Sequence, residues 1–304
     1  MNYNCFLKEI TQRVRERVYD GCTVEVKPVR KNNGIVLDCM SISRPGENIC
    51  PNIYLNEPYE RYLSGWSMDE VASCILSTWQ NSVPAMEINA DDLINARIIR
   101  EQVVYRLVNY EKNAALLEDI PHRKVLDLAL IYYVIVHTEA LGDGAIMVRN
   151  DYLDYYSITQ QELDEYARVN TRILLPADVV RISDLLREFG ERSGVSSYAD
   201  ISLEEESWHA PMYVLTNAFR QYGACYMTDM ELLHRIAQNM DTDLYLLPSS
   251  VHECMIVPAS MYDDTETLAS MVREINRDQV SKDEFLSDTV YRYRDQPGKL
   301  EIAS

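Results

Sequence analysis

Residues 243–258, Asp-Leu-Tyr-Leu-Leu-Pro-Ser-Ser-Val-His-Glu-Cys-Met-Ile-Val-Pro, constrain the chain more tightly than any other stretch. Two apolar runs, 244–247 and 254–257, flank Pro248, Ser249 and Ser250. Runs of that length suit buried strands, and a proline between them has no N–H to give a ladder. The stretch therefore predicts two strands joined by a tight connection. His252 and Glu253 follow the break at once, so polar side chains are expected at a corner with a rigid base beneath them.

The rest of the chain mixes helical and strand periods. Phe6, Ile10, Val14 and Val18 recur four apart with charges opposite, predicting an amphipathic helix over residues 3–18. Residues 22–29 alternate apolar and polar, Asn32, Asn33 and Gly34 supply turn chemistry, and the apolar Ile35, Val36, Leu37 and Met40 follow, which predicts a β-hairpin. Three capping boxes, Ser67 with Glu70, Thr159 with Glu162 and Thr228 with Glu231, stand ahead of apolar stripes and open helices. Further helices are expected over 91–100, 179–189 and around Leu268 to Ile275. Strands are expected at 103–108, 145–148, 212–215 and 224–227, and a terminal hairpin across Pro297 and Gly298. The longest apolar run, 125–136, favours a central strand, with a buried helix an equal fit to its first half. Residues 194–208, which include Glu204, Glu205 and Glu206, have no period and are expected as a surface excursion. Strand pairs on short turns, clustered helices and no regular βαβ alternation together predict an α+β fold around a mainly antiparallel sheet. A boundary near Met86 separates an N-terminal helix, hairpin and helix lobe, 1–86, from a C-terminal α+β domain, 87–304.

Charge narrows the partners. Forty-eight acidic residues against 29 basic ones give a net charge of −19. That field repels nucleic-acid backbones and anionic lipid, so neither nucleic acid nor membrane is expected as a direct partner. No apolar run approaches the roughly 18 residues of a membrane span, and residues 1–20 are too evenly charged for a signal peptide. A cytoplasmic location is expected. The seven cysteines are odd in number and never closer than eleven positions, which points to reduced thiols rather than a disulfide framework or a Cys-x-x-Cys site.

Complete catalytic motifs are missing. After His252-Glu253 a zinc hydrolase needs a second histidine at 256, where the chain has Ile. Ser249 or Ser250 with His252 as base lacks the Gly-x-Ser-x-Gly elbow. Glu231-x-x-His234 has di-iron spacing but occurs once, and His137-Thr138-Glu139 lacks the Pro-Cys-x-x-Cys of zinc deaminases. Ten glycines form neither phosphate-binding pattern, and His122 and His209 read as surface packing. No cofactor and no metal are expected. Twenty-one tyrosines are abundant; Tyr152, Tyr155, Tyr156 and Tyr166, or Tyr54, Tyr59 and Tyr62, suit a contact surface, although core packing is their commoner use.

Tyr213-Val-Leu-Thr-Asn217, the Tyr222-Gly223-Ala224 step, Leu247-Pro-Ser-Ser-Val-His-Glu253, and Leu286-Ser-Asp288 with Tyr291 and Tyr293 resemble an uncharacterised bacterial family, domain of unknown function 5688. Pro51-Asn-Ile-Tyr-Leu55 with Tyr59, Tyr62 and Gly65 is similar to its N-terminal signature, so the likeness spans nearly the whole chain. The terminal Leu-Ser-Asp and Tyr-Arg-Tyr segments also resemble, distantly, a second uncharacterised bacterial family. The resemblance implies that His252 and Glu253 belong to a family signature, and it carries over no catalytic role. The leading expectation is a non-enzymatic binding protein with a protein partner, its surface built on Ser249, Ser250, His252, Glu253 and Asn217. The alternative is a hydrolase using His252 as general base with Glu253 or Ser250 assisting; a weaker one is an acidic mimic of nucleic acid.

Overall fold

The structure is a computed structural model describing residues 1–46, 50–81, 93–138, 142–185, 187, 211–248, 250–262 and 264–303. They fall into two compact units, residues 1–95 with 135–146, and residues 96–134 with 147–304. The boundary expected near Met86 lies outside the described residues, and the segment 135–146 groups with the N-terminal unit, which no single cut in the sequence allows for.

In the first unit the helix α1 (Tyr3–Arg15) starts where Asn2 Oδ1 accepts the Cys5 N–H at 2.9 Å. It buries Phe6, Ile10 and Val14, the stripe read from the sequence. The predicted hairpin is β1 (Thr23–Arg30) against β2 (Val36–Ser43), closing at Arg30 opposite Val36, and β3 (Asn52–Tyr54) adds to β2. A helix α2 (Asn56–Leu63) follows. Pro58 sits in its first turn, where the missing N–H has no intrahelical partner to lose. Ser67 and Glu70 then cap α3 (Met68–Asn81) reciprocally: Ser67 N–H donates to Glu70 Oε2 at 2.8 Å and Glu70 N–H to Ser67 Oγ at 3.2 Å. Phe6, Ile10, Ile42, Val71, Ile75 and Trp79 close one core between helices and sheet.

The second unit begins with α4 (Ala96–Gln102) and β4 (Val103–Asn109), followed by α5 (Ala114–Leu117). Most of the apolar run 125–136 is the central strand it favours: β5 (His122–Val125) turns through Leu126 and Asp127 into β6 (Leu128–Thr138), which lies between β5 and β4. No part of it is helical. The far end of β6, from Ile135, belongs with the first unit, as does most of its partner β7 (Gly142–Met147). Next come α6 (Asn150–Tyr156), a helix without a sequence signal, and α7 (Gln160–Leu174), which opens on the Thr159–Glu162 capping box.

A six-stranded antiparallel sheet in the order β13-β12-β10-β11-β9-β8 fills the remainder. Its members are β8 (Ala177–Arg181), β9 (Tyr213–Asn217), β10 (Leu244–Leu247), β11 (Cys254–Pro258), β12 (Tyr291–Arg294) and β13 (Lys299–Ile302). The predicted hairpin β10–β11 is therefore the middle of the sheet, with α8 (Met230–Met240) before it and α9 (Thr265–Gln279) after it. Leu268 and Val272 of α9 pack with Tyr245, Leu247 and Val257. Three readings change here. Residues 179–181, expected as helix, are edge strand with alternating exposure, while 182–185 and 187 are helical as expected; the remainder of that prediction and the excursion 194–208 lie outside the described residues. Residues 224–227, expected as strand, belong to a buried 3-10 helix, Gly223–Thr228, because an all-apolar run carries no period to tell the two apart. The third cap is Asp229, whose carboxylate accepts the Leu232 N–H at 3.1 Å, not Thr228 with Glu231.

Candidate functional site

The connection between β10 and β11 is pinned from three directions. Ser249 lies outside the described residues. Ser250 is buried at 5% exposure and pairs with Phe285, while the Val251 N–H donates to the Glu284 carbonyl at 2.8 Å. Ser250 Oγ accepts the His252 N–H at 3.1 Å and donates to Glu253 Oε1 at 2.8 Å. The predicted corner exists, but it is half-buried rather than standing free.

His252 is held by backbone on two sides. Its carbonyl accepts the Gly223 N–H and the Thr216 hydroxyl, both at 2.9 Å. Its ring Nδ1 accepts the Tyr222 N–H at 3.2 Å, and the ring leans on the Tyr222 ring at 5.0 Å between centroids. A nitrogen that accepts from an amide carries no proton, so the neutral imidazole bears its proton on Nε2. Nε2 stands 3.3 Å from Glu284 Oε1, and the His252 side chain is only 22% exposed.

The partner strand's end is built by Asn217, which is fully buried. Its Oδ1 accepts the N–H groups of Phe219 (3.0 Å) and Gln221 (3.3 Å), and its Nδ2 donates to the Gln221 carbonyl at 2.7 Å. These bonds fold residues 217–222 into a tight loop in which Arg220 and Tyr222 both take positive φ, 54° and 58°. Each such residue costs about 1–3 kcal/mol and persists only where the surroundings over-determine it. Gly223 closes the loop, because a Cβ there would stand 2.6 Å from the Asn217 nitrogen. The loop holds Phe219 out at 63% exposure.

On the other side of Tyr222 lies Arg106 of β4. Its guanidinium carbon is 3.5 Å from the Tyr222 ring centroid and 3.9 Å from that of Tyr133 on β6. Tyr133, Arg106, Tyr222, His252 and Glu284 thus form a continuous column from sheet to loop to corner. Burial lowers the Arg106 pKa, the two tyrosines opposing it, and burial raises that of Tyr133, with Arg106 opposing. The sequence reading missed Arg106, Tyr133, Phe219 and Glu284 as site residues. One signal was present, a lone arginine inside the apolar strand Val-Val-Tyr-Arg-Leu-Val.

The other sequence candidates go elsewhere. Glu231 pairs with Arg172 at 2.6 Å and His234 with Asp295 at 2.6 Å, so the two do not converge. His137 pairs with Asp143, while Glu139 and His209 lie outside the described residues. His122 Nδ1 meets the Ile120 carbonyl at 3.1 Å. Tyr59 and Tyr62 pack on Phe6, at 5.0 and 5.8 Å, whereas Tyr155 is 77% exposed. Among the described residues no three His, Cys, Asp or Glu side chains converge to hold a metal ion. A separate groove of about 660 Å³ lies along α8, where Tyr213, Arg235 and Asn239 face the Arg172–Asp229 ion pair.

The model of a family of unknown function (DUF5688) matches residues 3–295. No curated protein and no solved structure matches the chain.

Proposed function

The chain belongs to this family of unknown function, and from the geometry of its own corner we propose that it is a non-enzymatic binding protein acting in the cytoplasm, with the loop 217–223 and the His252 corner as its recognition surface. The observation that carries this reading is Phe219, an exposed aromatic on a strained loop that a buried asparagine ties at residues 219 and 221. A large apolar ring presented from a backbone already fixed suits an interface anchor, since little backbone entropy remains to be lost on binding. Ser250, Glu253 and Asn217 support the surface from beneath rather than meeting the partner themselves.

The hydrolase reading is less well supported. A general base needs a lone pair directed at substrate. The Tyr222 amide occupies Nδ1 of His252, and the proton on Nε2 faces Glu284. A cytoplasmic site agrees with seven free cysteines, and among the described residues no helix is long and apolar enough to cross a membrane. The test is a photo-crosslinking amino acid at position 219 in the full chain, irradiated in its native cell, with the same probe at the slightly more exposed Ile173 (69%) as control. A discrete protein adduct from position 219 alone is expected. No adduct, or the same adducts from both positions, would refute the surface.

A further inference from the structure

Among the described residues Arg106 has no carboxylate as counter-charge. Other arginines of the same unit are paired: Arg172 with Asp229 at 2.6 Å, Arg123 with Asp164 at 3.1 Å, Arg292 with Asp243 at 2.8 Å. Arg106 has tyrosines on its faces and, among the described residues, no carboxylate in hydrogen-bond or ion-pair contact. The chain has 48 acidic residues from which to supply one. A desolvated charge is normally paired, and cation–π contact offsets only part of the desolvation. With two rings against the guanidinium and the Tyr133 hydroxyl drawing on one of its N–H groups, the other N–H donors remain, and on a planar guanidinium they form a fork matched to two oxygens of one anion.

We infer that Arg106 is an oxyanion-recognition residue, taking one carboxylate or phosphate group of whatever occupies the surface beside it, an inference that rests on the recognition reading above. Tyr222 then has two tasks, stacking on the arginine and giving its N–H to His252, so occupancy at Arg106 and the set of the His252 corner are mechanically joined through one residue.

The test uses the full-length protein. Thermal unfolding is followed at constant ionic strength while chloride is exchanged stepwise for acetate, and in a second series for inorganic phosphate. The wild type is expected to show a saturable rise in Tm with at least one of the two, and Arg106→Gln none; the series that responds tells a carboxylate source from a phosphate source. Equal responses in wild type and Arg106→Gln, or no rise in either, would overturn the inference. If Arg106→Gln does not fold, the Arg106 Nε–H resonance of the wild type is followed instead: a saturable shift confined to it supports the inference, and a shift shared with the exposed arginines, or none, overturns it. A position-219 adduct undiminished in Arg106→Gln sinks this inference and leaves the recognition surface standing. Loss of the adduct in the wild type removes that surface, while the anion response is judged by itself.

Discussion

At His252 one backbone N–H decides what the ring can do. Asparagine offers a carbonyl oxygen near the position of Nδ1, whereas alanine leaves the half-buried Tyr222 amide without a partner. His252→Ala is therefore expected to lower stability by about 1–3 kcal/mol, the cost of an orphaned donor, and His252→Asn to recover most of it. Chemical unfolding of the two variants checks this; equal losses would mean that the amide bond contributes nothing. Gly223 is the companion case. A methyl group at 2.6 Å from the neighbouring backbone cannot be relieved by a rotamer change, so Gly223→Ala is expected to cost on the order of 3 kcal/mol. An unchanged midpoint in the same unfolding assay would show that the strand end relaxes freely.

Among elements, the capping boxes were the most legible features because both halves lie within four residues of sequence. Hydrogen bonds from the Thr159 hydroxyl and amide hold the Glu162 carboxyl below its usual range at the start of α7. A carboxyl whose folded pKa is depressed stabilises above its unfolded value, about 4.3, and stops doing so as pH falls through the folded value. Glu162→Gln should accordingly lower Tm at neutral pH, with the gap to wild type closing below about pH 4; a gap independent of pH would place the effect elsewhere. The third cap was misread by one position, since Asp229 offers a charged acceptor while Glu231 is drawn to Arg172. The β5–β6 turn was illegible for a different reason. Leu126 takes φ of 57° without glycine or asparagine, and Asp127 beside it accepts the hydroxyls of Ser287 (3.0 Å), Thr289 (3.1 Å) and Tyr291 (2.6 Å) from a segment some 160 residues away. Local propensity cannot announce a turn that a distant segment holds. The Leu286-Ser-Asp and Tyr291 signature thus has a structural use, fastening that turn.

For the whole molecule, the sequence conveyed the α+β class and the central hairpin but not the column beside it, because Arg106, Tyr222 and His252 meet only after three separate segments are assembled. Tyrosine abundance, read first as a contact surface, divides between core and exterior. Burial raises the phenol pKa of Tyr105, Tyr132, Tyr226 and Tyr291. A raised folded value means stability that is complete below the unfolded value of about 10 and is lost as pH rises beyond it. Phenolate absorbance during alkaline titration should show an early exposed class among the 21 tyrosines and a late class appearing only with cooperative unfolding; one smooth transition for all would contradict the packing. The claim beneath every functional statement here is that His252 positions a surface instead of accepting a proton from substrate. Its tautomer, read from the imidazole nitrogen shifts of the neutral ring in the intact protein, tests this most directly. The expected result is a proton on Nε2 with Nδ1 bound to the Tyr222 amide; a proton on Nδ1, leaving the Nε2 lone pair directed outward, would contradict it.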